Sequence, residues 1–121
     1  HSAFSWAFKR SNRDNKRAIE LKRIENLKNI YISELFNYLE TALAGSTIIL
    51  FGSYSKGEDT NNSDIDLAII GRKDKILNLE KYEKTLNRKI NINFYDNWNN
   101  IHKHLKNNIL NGIVLVGGVE L

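Results

Sequence analysis

From Asn15 to Leu43 apolar residues return every three or four positions: Ile24, Leu27, Tyr31, Leu35, Leu39 and Leu43. That spacing predicts one long helix, or two abutting ones, carrying a single apolar stripe. Glu20, Arg23, Glu25 and Lys28 fall off the stripe and are expected to face water. Gly45-Ser46 reads as the helix stop. Thr47 to Phe51 is continuously β-branched or apolar, as in a buried strand. Gly52 to Ser63 is polar apart from Tyr54 and predicts a loop with room for one helical turn. A second strand is expected over Asp64–Ile70, closed by Gly71. A helix follows over Lys75–Arg88, with Ile76, Leu79, Tyr82 and Leu86 as its apolar positions. Ile90 to Tyr95 alternates apolar and polar, the mark of a strand with one buried face. Trp98 to Leu110 predicts a third helix through Trp98, Ile101, Leu105 and Ile109. After the Asn111-Gly112 turn, Ile113 to Val116 makes a short last strand. The order of elements predicts one α/β (α+β) domain, a sheet flanked by helices, with no internal repeat.

Composition narrows the classes. The chain has 121 residues, 41% of them hydrophobic and 26% charged, enough for one small core. No apolar run approaches the roughly 20 residues of a membrane helix. Without any cysteine, disulfides, thiolate metal sites and cysteine nucleophiles are all excluded. No secretory signal pattern opens the chain, so the expected location is cytoplasmic. The chain starts at His1 and contains no methionine, which is simplest to understand as a piece of a longer protein.

The net charge of +4 is unevenly placed. Residues 1–30 hold eight basic and three acidic residues, a balance of +5, and the remaining 91 residues net −1. The basic character therefore belongs to an N-terminal helical arm over 1–30, expected as the remnant of a linker, and 31–121 is expected to be the domain proper.

The chemistry concentrates in Phe51-Gly52-Ser53-Tyr54-Ser55-Lys56-Gly57, followed by Ser63-Asp64-Ile65-Asp66-Leu67. Two carboxylates stand two apart in an otherwise apolar strand. Period-two geometry puts Asp64 and Asp66 on one face, with Cα atoms roughly 6.5–7 Å apart. Such a pair suits Mg2+, which takes one or two carboxylates and completes its shell with water and phosphate oxygens. Gly52 and Ser53 sit just past the preceding strand, where a glycine lets phosphate approach the backbone and a hydroxyl can hold its oxygens. Lys56 and Ser63 complete the candidate nucleotide-binding set. The turn is not a Walker A loop, since Gly57 is followed by Glu58 where that motif requires lysine.

Gly52-Ser53, a spacer, and Asp64-x-Asp66 together resemble the signature of the DNA polymerase β-like nucleotidyltransferase superfamily, most of all its minimal nucleotidyltransferase branch. The likeness runs from about Ile30 to the end of the chain, through Ile109-Leu110-Asn111-Gly112-Ile113-Val114-Leu115. It implies a mixed β-sheet flanked by helices, a nucleoside triphosphate such as ATP as substrate, and Mg2+. It also implies that Gly52 and Ser53 hold phosphate while Asp64 and Asp66 bind metal and act in catalysis. The chain departs from the pattern at one point. Members of the superfamily usually carry a third carboxylate on a later strand, and the matching strand here offers Asn91 and Asn93 on its polar face. Neither amide can serve as an ionised ligand or a general base. Asp96 is the nearest carboxylate, but it has the parity of Ile90, Ile92 and Phe94.

Two functions stay open at this level. One is an enzyme moving a nucleotide to a protein or nucleic-acid acceptor; the minimal branch suggests a protein, such as a toxin partner. The other is a nucleotide-binding sensor, inactive or weakly active, belonging to a regulator that meets DNA through a winged-helix domain outside this chain. His102 and His104, two apart on an expected helix, do not share a face and are not read as metal ligands. Trp98 reads as core. Phe4, Trp6 and Phe8 could pack on a missing domain, on a second subunit or on the long helix, or could touch nucleic acid.

Overall fold

The structure, a computed structural model, describes residues 2–119, with side chains described from residue 14 onward. The long N-terminal periodicity yields two helices, α1 (Ser2–Ile32) and α2 (Leu35–Ala42). Between them Glu34 adopts a left-handed conformation at φ 71°, and the Ser33 hydroxyl accepts the amide of Leu35 at 3.3 Å. This turn resets the helical phase, so the expected single stripe is broken. Leu35, Leu39 and Leu43 are fully buried, as is Ile30, but Ile24 is 64% and Tyr31 46% exposed. α1 meets the segment after β1 through polar side chains: buried Asn26 and the exposed Lys22 and Arg23 reach backbone carbonyls there. α1 runs unbroken across residue 30, and Asn26 and Ile30 are both buried. Phe4, Trp6 and Phe8 have side chains outside the described set.

Four strands form one sheet: β1 (Thr47–Phe51), β2 (Ile65–Ile70), β3 (Ile90–Tyr95) and β4 (Ile113–Val116). Their order is β3-β2-β1-β4, with β1 antiparallel to both β2 and β4, and β2 parallel to β3. A one-turn helix α3 (Ser53–Lys56) follows β1, and α4 (Glu80–Leu86) lies in the crossover that a parallel pair requires. α4 starts later than the apolar spacing predicts. The stretch before it is irregular, and Ile76 is 99% exposed because it precedes the helix instead of facing the core.

Alternation along the strands sorts the apolar residues into two layers. Ile48, Leu50, Ile65, Leu67, Ile69 and Ile90 pack with Leu35, Leu39, Leu43 and Tyr82 on one face. Ile49, Phe51 and Ala68 pack with Ile101 and Ile109 on the other. The expected third helix is interrupted there. Trp98–Asn100 is a single 3-10 turn, Ile101 is extended, and α5 covers Lys103–Leu110. Trp98 packs partly buried against the second layer. His102 stands outside α5 as its N-cap, so its ring stacks on that of His104 at 5.5 Å, where a continuous helix would point the two apart. The expected architecture, a mixed sheet flanked by helices, is the one observed. Among the described residues no helix is long and apolar enough to cross a membrane.

Candidate functional site

β1 ends at Phe51 and the chain must turn at once into α3. Gly52 makes that turn at φ 81°, ψ −168°, a conformation open almost only to glycine. Its missing side chain is also required by space, since a Cβ there would lie 2.6 Å from Asp66 Oδ2. The turn and the carboxylate are therefore in direct apposition. Ser55 Oγ donates to the Gly52 carbonyl at 2.7 Å and closes the turn. The first amides of a helix have no intrahelical partner, and here they belong to the residues beside Asp66. Among the described residues no side chain pairs with the Ser53 hydroxyl or the exposed Lys56 ammonium, which leaves both available to a ligand.

Register brings in the third component. Asp66 pairs with Phe51 on one side and with Asn91 on the other. Asn91 Nδ2 donates to Asp64 Oδ2 at 2.9 Å and to Asp66 Oδ1 at 3.1 Å. One amide thus gathers both carboxylates at a single point, half-buried at the N-terminal ends of two parallel strands. Asn93 pairs with Ala68, two residues farther along β3, and meets neither aspartate. Asp96 lies past the C-terminal end of β3, in a hollow with Arg72, Lys73, Asp74 and Phe94. Five residues of strand, about 16 Å, separate it from Asn91. Of the three candidates for the third-acid position, the structure brings only Asn91 to the pair.

Ser63 stands next to Asp64 in the lining of a polar groove. Its hydroxyl accepts the amide of Thr60 at 2.9 Å and meets the Thr60 hydroxyl at 3.3 Å, closing the turn that delivers Asp64. That groove, of about 560 Å³, opens beside Asp64 between Asn61, Asn62 and the Lys84–Lys89 segment.

Behind the site lies a cluster that hydrophobic periodicity cannot reveal. The Asp59 side chain is fully buried, with its carboxylate 3.1 Å from Arg88 Nη2 and 3.4 Å from Lys22 Nζ. Asn26 Nδ2 donates to Asp59 Oδ1 at 2.7 Å and to the Tyr54 carbonyl at 3.0 Å. Burial pushes the Asp59 carboxyl up, but the hydrogen bonds from Asn26 and Arg88 and the charge of Lys22 outweigh it and hold the group below its ordinary value. The Tyr54 and Tyr95 phenols are raised by burial.

The donor set can be weighed against a cation directly. Among the described residues no group of three or more His, Asp or Glu could hold a metal ion. What is present is two carboxylates and one carboxamide. Magnesium takes one or two carboxylates and draws the rest from water and phosphate, so the set fits a cation that arrives with a nucleotide. Turning the Asn91 amide over would offer its oxygen in place of Nδ2, a neutral ligand.

Gly52→Ala tests the apposition of turn and carboxylate. Strain at the glycine-only backbone is expected to lower stability by about 1–3 kcal/mol. The new methyl group must also displace Asp66. Denaturant unfolding combined with a magnesium–ATP titration checks both, and wild-type stability together with wild-type affinity would contradict the geometry.

No curated protein matches the sequence at a significant level. The profile of one family, described as polymerase beta, nucleotidyltransferase, matches residues 33–119. That span takes in β1, the Gly52–Ser53 turn, both aspartates, Asn91 and β4, and the chain belongs to this nucleotidyltransferase family.

Proposed function

We propose that the chain binds a nucleoside triphosphate together with Mg2+, and that it moves the nucleotide slowly onto a hydroxyl of a protein or nucleic-acid acceptor, the acceptor oxygen bonding to the α-phosphorus as the bond to the β-phosphate breaks and pyrophosphate leaves. The observation carrying this reading is the convergence of Asp64 and Asp66 on one atom of Asn91, with Gly52 pressed against Asp66. In this reading Asp64 and Asp66 hold the cation. The Ser53 hydroxyl, the amides beginning α3 and the Lys56 ammonium meet the phosphates. When bound, the cation neutralises charge on the transferring phosphate and orients it, which is most of what phosphoryl-type transfer asks of a protein.

The acceptor is expected to approach from the groove at Asp64. Displacement at phosphorus runs in line, so attacking and leaving oxygens stand on opposite sides. Gly52 abuts Asp66, whereas the groove opens at Asp64, which leaves that flank for the acceptor. Asn91 cannot take the acceptor's proton, since a carboxamide has no basic lone pair at neutral pH. The same residue favours a second reading, a domain that binds nucleotide as a signal and transfers little or none.

Both readings require binding, and calorimetric titration with magnesium–ATP tests it. Asp64→Asn removes one of the two anionic ligands and is expected to weaken affinity by about tenfold or more, since hydrogen bonds and ligation by charged groups are the strong ones. Equal affinity of wild type and Asp64→Asn would remove the metal role from this pair.

A further inference from the structure

We propose that Asp59 is a positioning residue for nucleotide binding: through Arg88 and Asn26 its buried carboxylate fixes the phosphate-facing turn and the start of β3 relative to each other. This rests on the proposed nucleotide site, and it concerns a residue that lies outside that site.

The connections run to each of the parts that must be held. Asp59 is two residues past Gly57, the left-handed residue that ends α3, so it anchors the far end of the turn beginning at Gly52. Arg88 stands three residues before Asn91, and its guanidinium meets Asp59 at 3.1 Å. Its backbone amide is fixed to the Glu83 carbonyl at 3.2 Å, while Ile90 donates its amide to Glu83 Oε2 at 2.9 Å. The lead-in to β3 is therefore rigid, and holding Arg88 holds Asn91. From α1, Asn26 joins Asp59 to the Tyr54 carbonyl, and Arg23 Nε donates to the Ser55 carbonyl at 3.1 Å. Both carbonyls belong to α3, the helix that carries Ser53 and Lys56. Gly57 lies so close to α1 that a Cβ would come within 2.3 Å of the Ile19 carbonyl oxygen. α1 thus forms the back wall of the turn, and Asp59 is gripped both by α1, through Asn26 and Lys22, and by the β3 lead-in, through Arg88.

A carboxylate with only a structural duty would stabilise the fold and leave affinity alone once the fold is restored. A positioning residue separates the two quantities, because ligand groups must be held to about 0.5 Å for full effect. The test compares wild type, Asp59→Asn and the neutral pair Asp59→Asn/Arg88→Gln. Magnesium–ATP is titrated calorimetrically at a temperature where each protein is fully folded. The neutral pair no longer buries an unmatched charge and is expected to recover most of the stability lost in Asp59→Asn. Its affinity is nevertheless expected to stay about tenfold below wild type, as for a displaced binding group.

Should the neutral pair fail to fold, Lys22→Met decides in the same sense. Lys22 is 43% exposed, outside the site, and in contact with Asp59. Its loss is expected to weaken magnesium–ATP binding by about threefold with little change in stability, as for a partly exposed ion pair. Folded variants with wild-type affinity overturn the positioning role and leave the nucleotide site standing. A wild-type protein that does not bind magnesium–ATP overturns both.

Discussion

Asn91→Asp is expected to raise nucleotide transfer by about 10²–10⁴-fold, the range that a well-placed general base contributes. The residue already lies within hydrogen-bond distance of both aspartates, so a carboxylate there needs no rearrangement of the backbone to join them. The same substitution carries a cost that serves as an internal control. Asn91 now donates to both carboxylates, whereas an aspartate would bring a third negative charge against them and donate nothing. The variant should therefore melt below wild type in chelator and recover on adding magnesium. This follows because a cation that binds only the folded state stabilises it by mass action. Transfer of labelled nucleotide, read beside melting with and without magnesium, checks the two effects together. Asn93→Asp is the matched comparison: it adds the same charge two residues away, opposite Ala68, and should change neither quantity much. If Asn93→Asp raised transfer and Asn91→Asp did not, the assignment of the third position would be wrong.

The choice between these two amides shows what sequence pattern can and cannot resolve. Alternation along Ile90–Tyr95 puts Asn91 and Asn93 on one face, and parity alone does not separate them. Register does, and it depends on where β2 meets β3, a pairing across 25 residues that no local signal encodes. The Gly52–Ser53 turn and the aspartate pair were legible because their chemistry is local: a glycine-only turn at a strand end, and two acids in an apolar strand. The four strands were legible for the same reason, three from apolar runs rich in β-branched residues and Ile90–Tyr95 from its alternation. Helix limits were less so. Ile76 and Ile101 have helical spacing, yet the first is solvent-exposed and the second extended, since spacing records only that apolar residues recur. The polar contacts of α1 were the hardest to see. Spacing marks Arg23 as water-facing and says nothing of Lys22 or Asn26, because the partners of all three are carbonyls and a carboxylate 28 to 37 residues away.

Asp59→Ala is expected to cost about 3–5 kcal/mol of folding stability, the usual consequence of removing one member of a buried ion pair. The penalty arises mainly from what is left behind. The Arg88 side chain is only 12% exposed and would keep its charge with no carboxylate opposite. Asn26 would also lose an acceptor for its amide. Acid should expose the same interaction without a mutation. A carboxyl held below its ordinary value contributes stability in full above that value and loses it as pH falls through the folded one. Wild type should accordingly lose stability below about pH 4, the ordinary aspartate range. Asp59→Asn, already neutral there, should lose less over the same interval. Urea midpoints for both proteins across that range measure the difference. Parallel pH profiles, or an Asp59→Ala protein as stable as wild type, would mean that the network behind the turn contributes little to holding the site together.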